Sequence, residues 1–114
     1  FQVNFRNHRK TIVVDGKVGF TGGLNVGDEY MGEDPKFGNW RDTHARLRGP
    51  LVQQLQLVFA EDWYWASNEV LTEKLDWEVE RTEANRDGVI VATGPGDDFD
   101  TGSLYFCSLI GAAE

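Results

Sequence analysis

Cysteine is almost absent from this sequence: Cys107 is the only one in 114 residues. A lone thiol has no partner for an internal disulfide. That excludes a small scaffold stapled within itself and makes a reducing compartment the default. Long apolar runs are missing as well. None approaches the roughly 20 residues that cross a bilayer, and no basic-then-apolar leader pattern is present. Basic residues are outnumbered, with 11 Lys and Arg against 19 Asp and Glu and a formal net charge of −8. The deficit argues against nucleic acid as a partner, because affinity for a phosphate backbone comes largely from Lys and Arg. Histidine occurs only as His8 and His44, and no Cys/His/Asp cluster has the spacing of a metal site.

What is present suits one small domain. Apolar residues make up 40% of the chain, enough for a modest core. The chain opens on FQVNFR, which reads as a strand, and stops on GAAE, which reads as a helix. It is therefore expected to be an excerpt, truncated at both ends. Charge is unevenly shared. Arg6, Arg9, Lys10 and Lys17 crowd the start, with Lys36, Arg41, Arg46 and Arg48 following, and acidic residues dominate after Glu69. A local positive site for one phosphate fits that asymmetry, and the acidic run reads as a solvated face.

Phe1, Val3 and Phe5 alternate, and the apolar runs Ile12–Val14 and Val18–Phe20 flank Asp15-Gly16, a strong hairpin signal. Strands are expected over residues 2–14, interrupted near Asn7, and over 17–20, then one or two helical turns within 24–30 and a loop over 31–39. Residues 41–48 alternate as a third strand, stopped by Gly49-Pro50. Leu51, Leu55, Val58, Phe59 and Trp63 recur at helical spacing, so 51–66 is the firmest helix, with Pro50 suited to its first turn. Residues 69–86 read as a short helix and linker, 88–92 as a strand, 93–100 as a turn and 104–113 as a helix. The fold class is α/β (α+β), a mixed sheet with helices packed on it.

The chemistry lies in HRKTIVVD, an H-x-K-x-x-x-x-D pattern of His8, Lys10 and Asp15, followed by GGLN with Gly22, Gly23 and Asn25. On an extended strand His8 and Lys10 would share a face. A neutral imidazole can attack a phosphodiester while an ammonium steadies the oxygens on which charge accumulates. Asn25 adds an amide donor. A His and a Lys two apart on a strand are by themselves more often a solvated edge; the Asp and the GGLN at matching spacing are what favour the site. Asp42, in NWRDTH, can orient a catalytic imidazole through its other ring nitrogen; the plainer explanation is pairing with Arg41 or Arg9. His44 would share a strand face with Asp42 in a supporting or surface role. Tyr30 and Phe37 can line the pocket. Trp40, Trp63 and Trp65 read as core or boundary aromatics, and Cys107 as a buried small residue.

HRKTIVVDGKVGFTGGLN resembles the HKD signature of the phospholipase D superfamily. NFRNHRK, DGKVGFTGGLNVGDEY, FGNWRDTH and VQQLQLVFAEDW are similar to bacterial cardiolipin synthases, most clearly as far as Trp65. The resemblance implies a phospholipase-D-like half-domain: residues 1–84 as the end of a first domain with its motif, and 85–114 as linker and start of a second. It implies His8 as catalytic histidine, nucleophile by preference, with Lys10 and Asn25 binding the phosphate. Asp15 becomes a structural motif residue and Asp42 the orienting acid. Gly23 departs from the family's frequent Ser and loses one phosphate contact.

The parent enzyme so implied is a transferase of phospholipid biosynthesis. It passes a phosphatidyl group between two phosphatidylglycerol molecules, uses no metal or organic cofactor, and works at the cytoplasmic membrane through parts outside this chain. A second HKD half in the same parent completes its site; the fragment itself is expected to be soluble and inactive. Three alternatives stay open: another phospholipase-D-type phosphodiesterase, a phospholipase or nuclease; a noncatalytic module for phosphate head groups or proteins; and a fragment that pairs as a homodimer.

Overall fold

The computed structural model describes residues 7–83, 86–94 and 99–113. The residues fall into two compact units, one spanning Arg9–Ile90 and the other formed by the flanking residues, including His8 and the stretch from Val91 onward.

The larger unit is built on a hairpin. Strands β1 (Thr11–Val14) and β2 (Val18–Gly22) pair antiparallel, from Thr11 opposite Thr21 to Val14 opposite Val18. Asp15 and Gly16 both hold positive φ, 51° and 64°, the handedness that matches a two-residue turn to strand twist. The Lys17 amide donates to the Val14 carbonyl at 3.0 Å and closes the turn. A single helical turn, α1 (Asp28–Met31), follows, then a loop, then β3 (His44–Arg48), which pairs antiparallel with β2 from Gly22–His44 to Val18–Arg48. Strands and helices are thus combined as the sequence implies; the described residues form a three-stranded sheet of order β1-β2-β3 with antiparallel pairings.

Helix α2 (Pro50–Ser67) packs on all three strands. Val52, Leu55 and Val58 bury against the sheet, and Leu55 lies so close to Gly19 that a Cβ there would sit 2.9 Å from its Cδ2. The periodicity that fixed the helix misjudged part of its face. Val52 and Gln56 are buried, and Trp63 and Trp65 are exposed, so neither Trp belongs to the core. Pro50 stands at the first turn, where its missing N–H costs nothing.

Both outer strands are shorter than alternation suggests, for one reason. Strand β2 ends at Gly22, whose partner is His44, and Thr21 is the last residue paired with β1. Residues 7–10 and 41–43 lie outside the described strands. The expected strand at 2–6 falls outside the described residues. Two further expectations fail. Residues 69–83 contain turns and no helix, because Asn68 ends α2 in the left-handed conformation and the polar stretch then gives its carbonyls to α2. Gln56 Nε2 donates to Asp76 O at 2.7 Å, and Gln53 Nε2 to Glu78 O at 3.2 Å and to Gly16 O at 2.9 Å. Residues 88–92 form no strand; the Ile90 amide donates to the Gln54 side chain at 2.9 Å instead.

In the smaller unit, α3 (Thr101–Ala112) starts three residues before its apolar pattern. Asp100 caps it, accepting from the Ser103 amide at 3.2 Å, and contact with Ser103 holds the Asp100 carboxyl below its ordinary range. No residue of α3 is buried among the described residues. Cys107 is accordingly exposed, not buried as its small apolar character suggested.

Candidate active site

The strand register gathers part of the motif at one end of the sheet. Lys10 directly precedes Thr11, the partner of Thr21. Gly22 pairs with His44, so Gly23 and residues 42–43 continue past the same end. Lys10, the Gly22–Asn25 segment and Asp42 therefore lie off the edge opposite the Asp15-Gly16 turn. Asp15 is five residues along the chain from Lys10, about 16 Å at the rise of an extended strand. It lines a different feature, a cavity of about 450 Å³ bordered by Val13, Gly16, Gln56, Phe59 and Lys74. His8 is exposed and belongs to the smaller unit, and both His8 and Lys10 lie outside β1.

Asp42 has an unusual setting. Its Oδ1 accepts from the Thr43 amide at 2.6 Å, and its Oδ2 is buried with no hydrogen-bond partner among the described residues. Pairing with Arg41 or Arg9, the plainer expectation, is not what it does: Arg9 instead bridges to Asp62 on α2 at 2.5 Å. An unpartnered buried oxygen is unfavourable and is a ready acceptor. Asp42 also explains the glycine at position 23. A Cβ there would lie 2.6 and 2.7 Å from the two carboxylate oxygens, so a serine and this placement of Asp42 exclude one another without movement. Gly22 is hemmed in similarly by His44, whose Cα and ring Cγ would each stand 2.7 Å from an added Cβ.

Asn25 donates from Nδ2 to the Tyr30 hydroxyl at 2.5 Å. Tyr30 packs edge-on against Trp40 with ring centroids 4.8 Å apart, and Trp40 against Phe37 at 6.3 Å. Sequence patterning suggested Tyr30 and Phe37 as pocket lining but gave no sign of the Asn25 bond. Nor did it show how the early basic residues divide. Arg9 goes to Asp62, and Lys17 to Asp76 at 3.2 Å and Glu78 at 3.6 Å, so these two do not belong to a common positive site with Lys10. The acidic run is correspondingly more than a solvated face. The Lys17 ammonium is pushed above its usual range chiefly by hydrogen bonding to Asp76. Asp76 is held below its own, first by the Glu78 amide and then by Lys17. Glu69 is lowered by Lys74 and by the Trp63 indole.

Among the described residues no group of His, Cys, Asp and Glu could hold a metal ion, and no helix is long and apolar enough to cross a membrane.

No family model matches the chain, and no solved structure matches it. Curated proteins do. A cardiolipin synthase A of Pseudomonas aeruginosa is 52% identical over 118 aligned residues, covering 100% of this chain and 23% of the relative. Cardiolipin synthases A of Pseudomonas fluorescens and Pseudomonas syringae are 51% and 50% identical, covering 99% and 100% of the chain and 23% of each relative. The likeness covers the chain beyond Trp65 as well as the motif-bearing stretch before it. This chain spans about a quarter of the length of the relatives it matches, and over that whole span its sequence is similar to those of proteins named cardiolipin synthase A.

Proposed function

We propose that this chain supplies one half of the active site of a cardiolipin synthase, a phosphatidyltransferase of the phospholipase D type acting at the membrane. The observation that carries this reading is the end-to-end identity of about half with proteins named cardiolipin synthase A. The gathering of Lys10, Asn25 and Asp42 off one sheet end supports it.

In the proposed reaction the neutral His8 imidazole attacks the phosphorus of one phosphatidylglycerol. A phosphohistidine-type bond forms and the bond to the glycerol oxygen breaks. The leaving glycerol takes a proton from a histidine of a second motif in the parent protein. That histidine, now neutral, removes the proton from the glycerol hydroxyl of a second phosphatidylglycerol, which attacks phosphorus, frees His8 and gives cardiolipin. Lys10 and Asn25 offset the charge on the phosphoryl oxygens, where preorganised donors are worth most. Asp42 is proposed to steady the catalytic imidazolium through its unpartnered Oδ2, a role for a carboxylate beside a histidine that fits the chemistry. Asp15 is proposed to act in the turn, not at the phosphate. The division into the end of a first phospholipase-D-like domain and the start of a second is part of the same proposal.

Labelled phosphatidylglycerol supplied to the full-length protein tests the reading. Labelled cardiolipin and free glycerol are expected, and His8→Ala should abolish both. Phosphatidic acid as the sole product would show water as acceptor and overturn transfer. Product formation unaffected by His8→Ala would overturn the assignment of the site.

A further inference from the structure

We infer that Tyr30 is a positioning residue for the phosphate-binding amide of Asn25. This rests on the proposed phosphodiester chemistry and adds a residue to it. Asn25 follows a Gly-Gly pair and is exposed, so packing does little to fix its side chain. A carboxamide presents an acceptor on one side and a donor on the other, and a half-turn about its last torsion would aim the oxygen, not the nitrogen, at an anionic phosphoryl group. The Tyr30 hydroxyl is the partner the structure gives that amide. It accepts one Nδ2 hydrogen at 2.5 Å, and with that bond made the side chain is anchored and the second Nδ2 hydrogen keeps a set direction for a phosphate oxygen.

Tyr30 is itself held. It lies in the single turn of α1, half-buried, with its ring edge-on to Trp40 at 4.8 Å, and Trp40 in turn meets Phe37. The aromatic group at residues 30–40 thus forms the brace behind the amide, and the Asn25–Tyr30 spacing of five residues in GGLNVGDEY links motif to brace through one short segment.

Tyr30→Phe keeps the ring and its packing and removes only the acceptor. In the full-length protein it should lower kcat by about 3- to 10-fold, the loss expected for one neutral hydrogen bond, with KM for phosphatidylglycerol changed less. The deciding measurement is the double-mutant cycle with Asn25→Ala. If Tyr30 acts through Asn25, adding Tyr30→Phe to Asn25→Ala should cost nothing further. An equal loss in both backgrounds would show a merely structural role, and no loss in either would show none; both overturn the inference. The coupling is read from whichever product forms, so hydrolysis in place of transfer refutes the proposed function without touching it. If wild type turns over neither way, the affinities of the same proteins for orthovanadate replace rates, with the same outcomes deciding.

Discussion

Gly16→Ala tests how the hairpin is held. Gly16 has φ +64°, and the carbonyl of Asp76 occupies the place where a Cβ would go. Gly38 has nearly the same φ, +62°, with nothing within 4 Å of an added Cβ. Both substitutions incur the left-handed penalty of about 1–2 kcal/mol. Only at position 16 must the Asp76 backbone also move, and that carbonyl accepts from the buried Gln56 amide at 2.7 Å. Leaving a buried donor unsatisfied costs about 1–3 kcal/mol, so Gly16→Ala should destabilise by roughly 2–5 kcal/mol in total, against about 1–2 for Gly38→Ala. Urea unfolding followed by tryptophan fluorescence gives both values under one set of conditions. Equal costs at the two positions would refute the claim that the stretch around Asp76 is fastened onto the turn.

Asp42→Asn should lower kcat of the full-length protein by about 100-fold, the order expected when a group stabilising developing charge is lost, while leaving the urea midpoint close to wild type; unchanged turnover would end the orienting role. The Lys17–Asp76 pair sets edges on the pH dependence. Asp76 titrates below its ordinary value of 3.8, so its contribution is present above that value and is lost as pH falls through the folded one. Lys17 titrates above 10.5, so its contribution is present below that value and is lost as pH rises through the folded one. Asp76→Asn should move the Lys17 midpoint back towards 10.5, read by NMR of the Lys17 side chain; an unmoved midpoint would show that Asp76 is not the main cause.

Local chemistry made the hairpin legible. Asp15-Gly16 between apolar runs specifies a turn that needs only its own two residues. Helix α2 was legible because its apolar spacing persists over several turns. Strand ends were not, since β1 and β3 stop where β2 stops, and a strand's length belongs to its partner. The stretch after Asn68 was misread for a related reason. Its polar side chains say little, and its path is set by Gln53 and Gln56, whose amides look like ordinary surface residues in the sequence. Two glutamines three apart on a helix beside apolar positions are the signal that could have found them. Lys10, Asn25 and Asp42 stand out in the sequence as candidates by type and spacing, but the bond from Asn25 to Tyr30 and the fit of Gly23 to Asp42 depend on a loop whose shape no periodicity encodes.

Helix α2 grips the first strand beyond both of its ends: Asp62 holds Arg9, and Gln53 holds Gly16. The helix works as a splint of fixed length. Residues 9–16 cannot gain or lose a residue without one fastening coming undone, whereas the loop between Met31 and His44 carries no such bolt to the helix among the described residues. Length variation among functioning versions of this unit should therefore collect in the loop and be absent from the splinted strand.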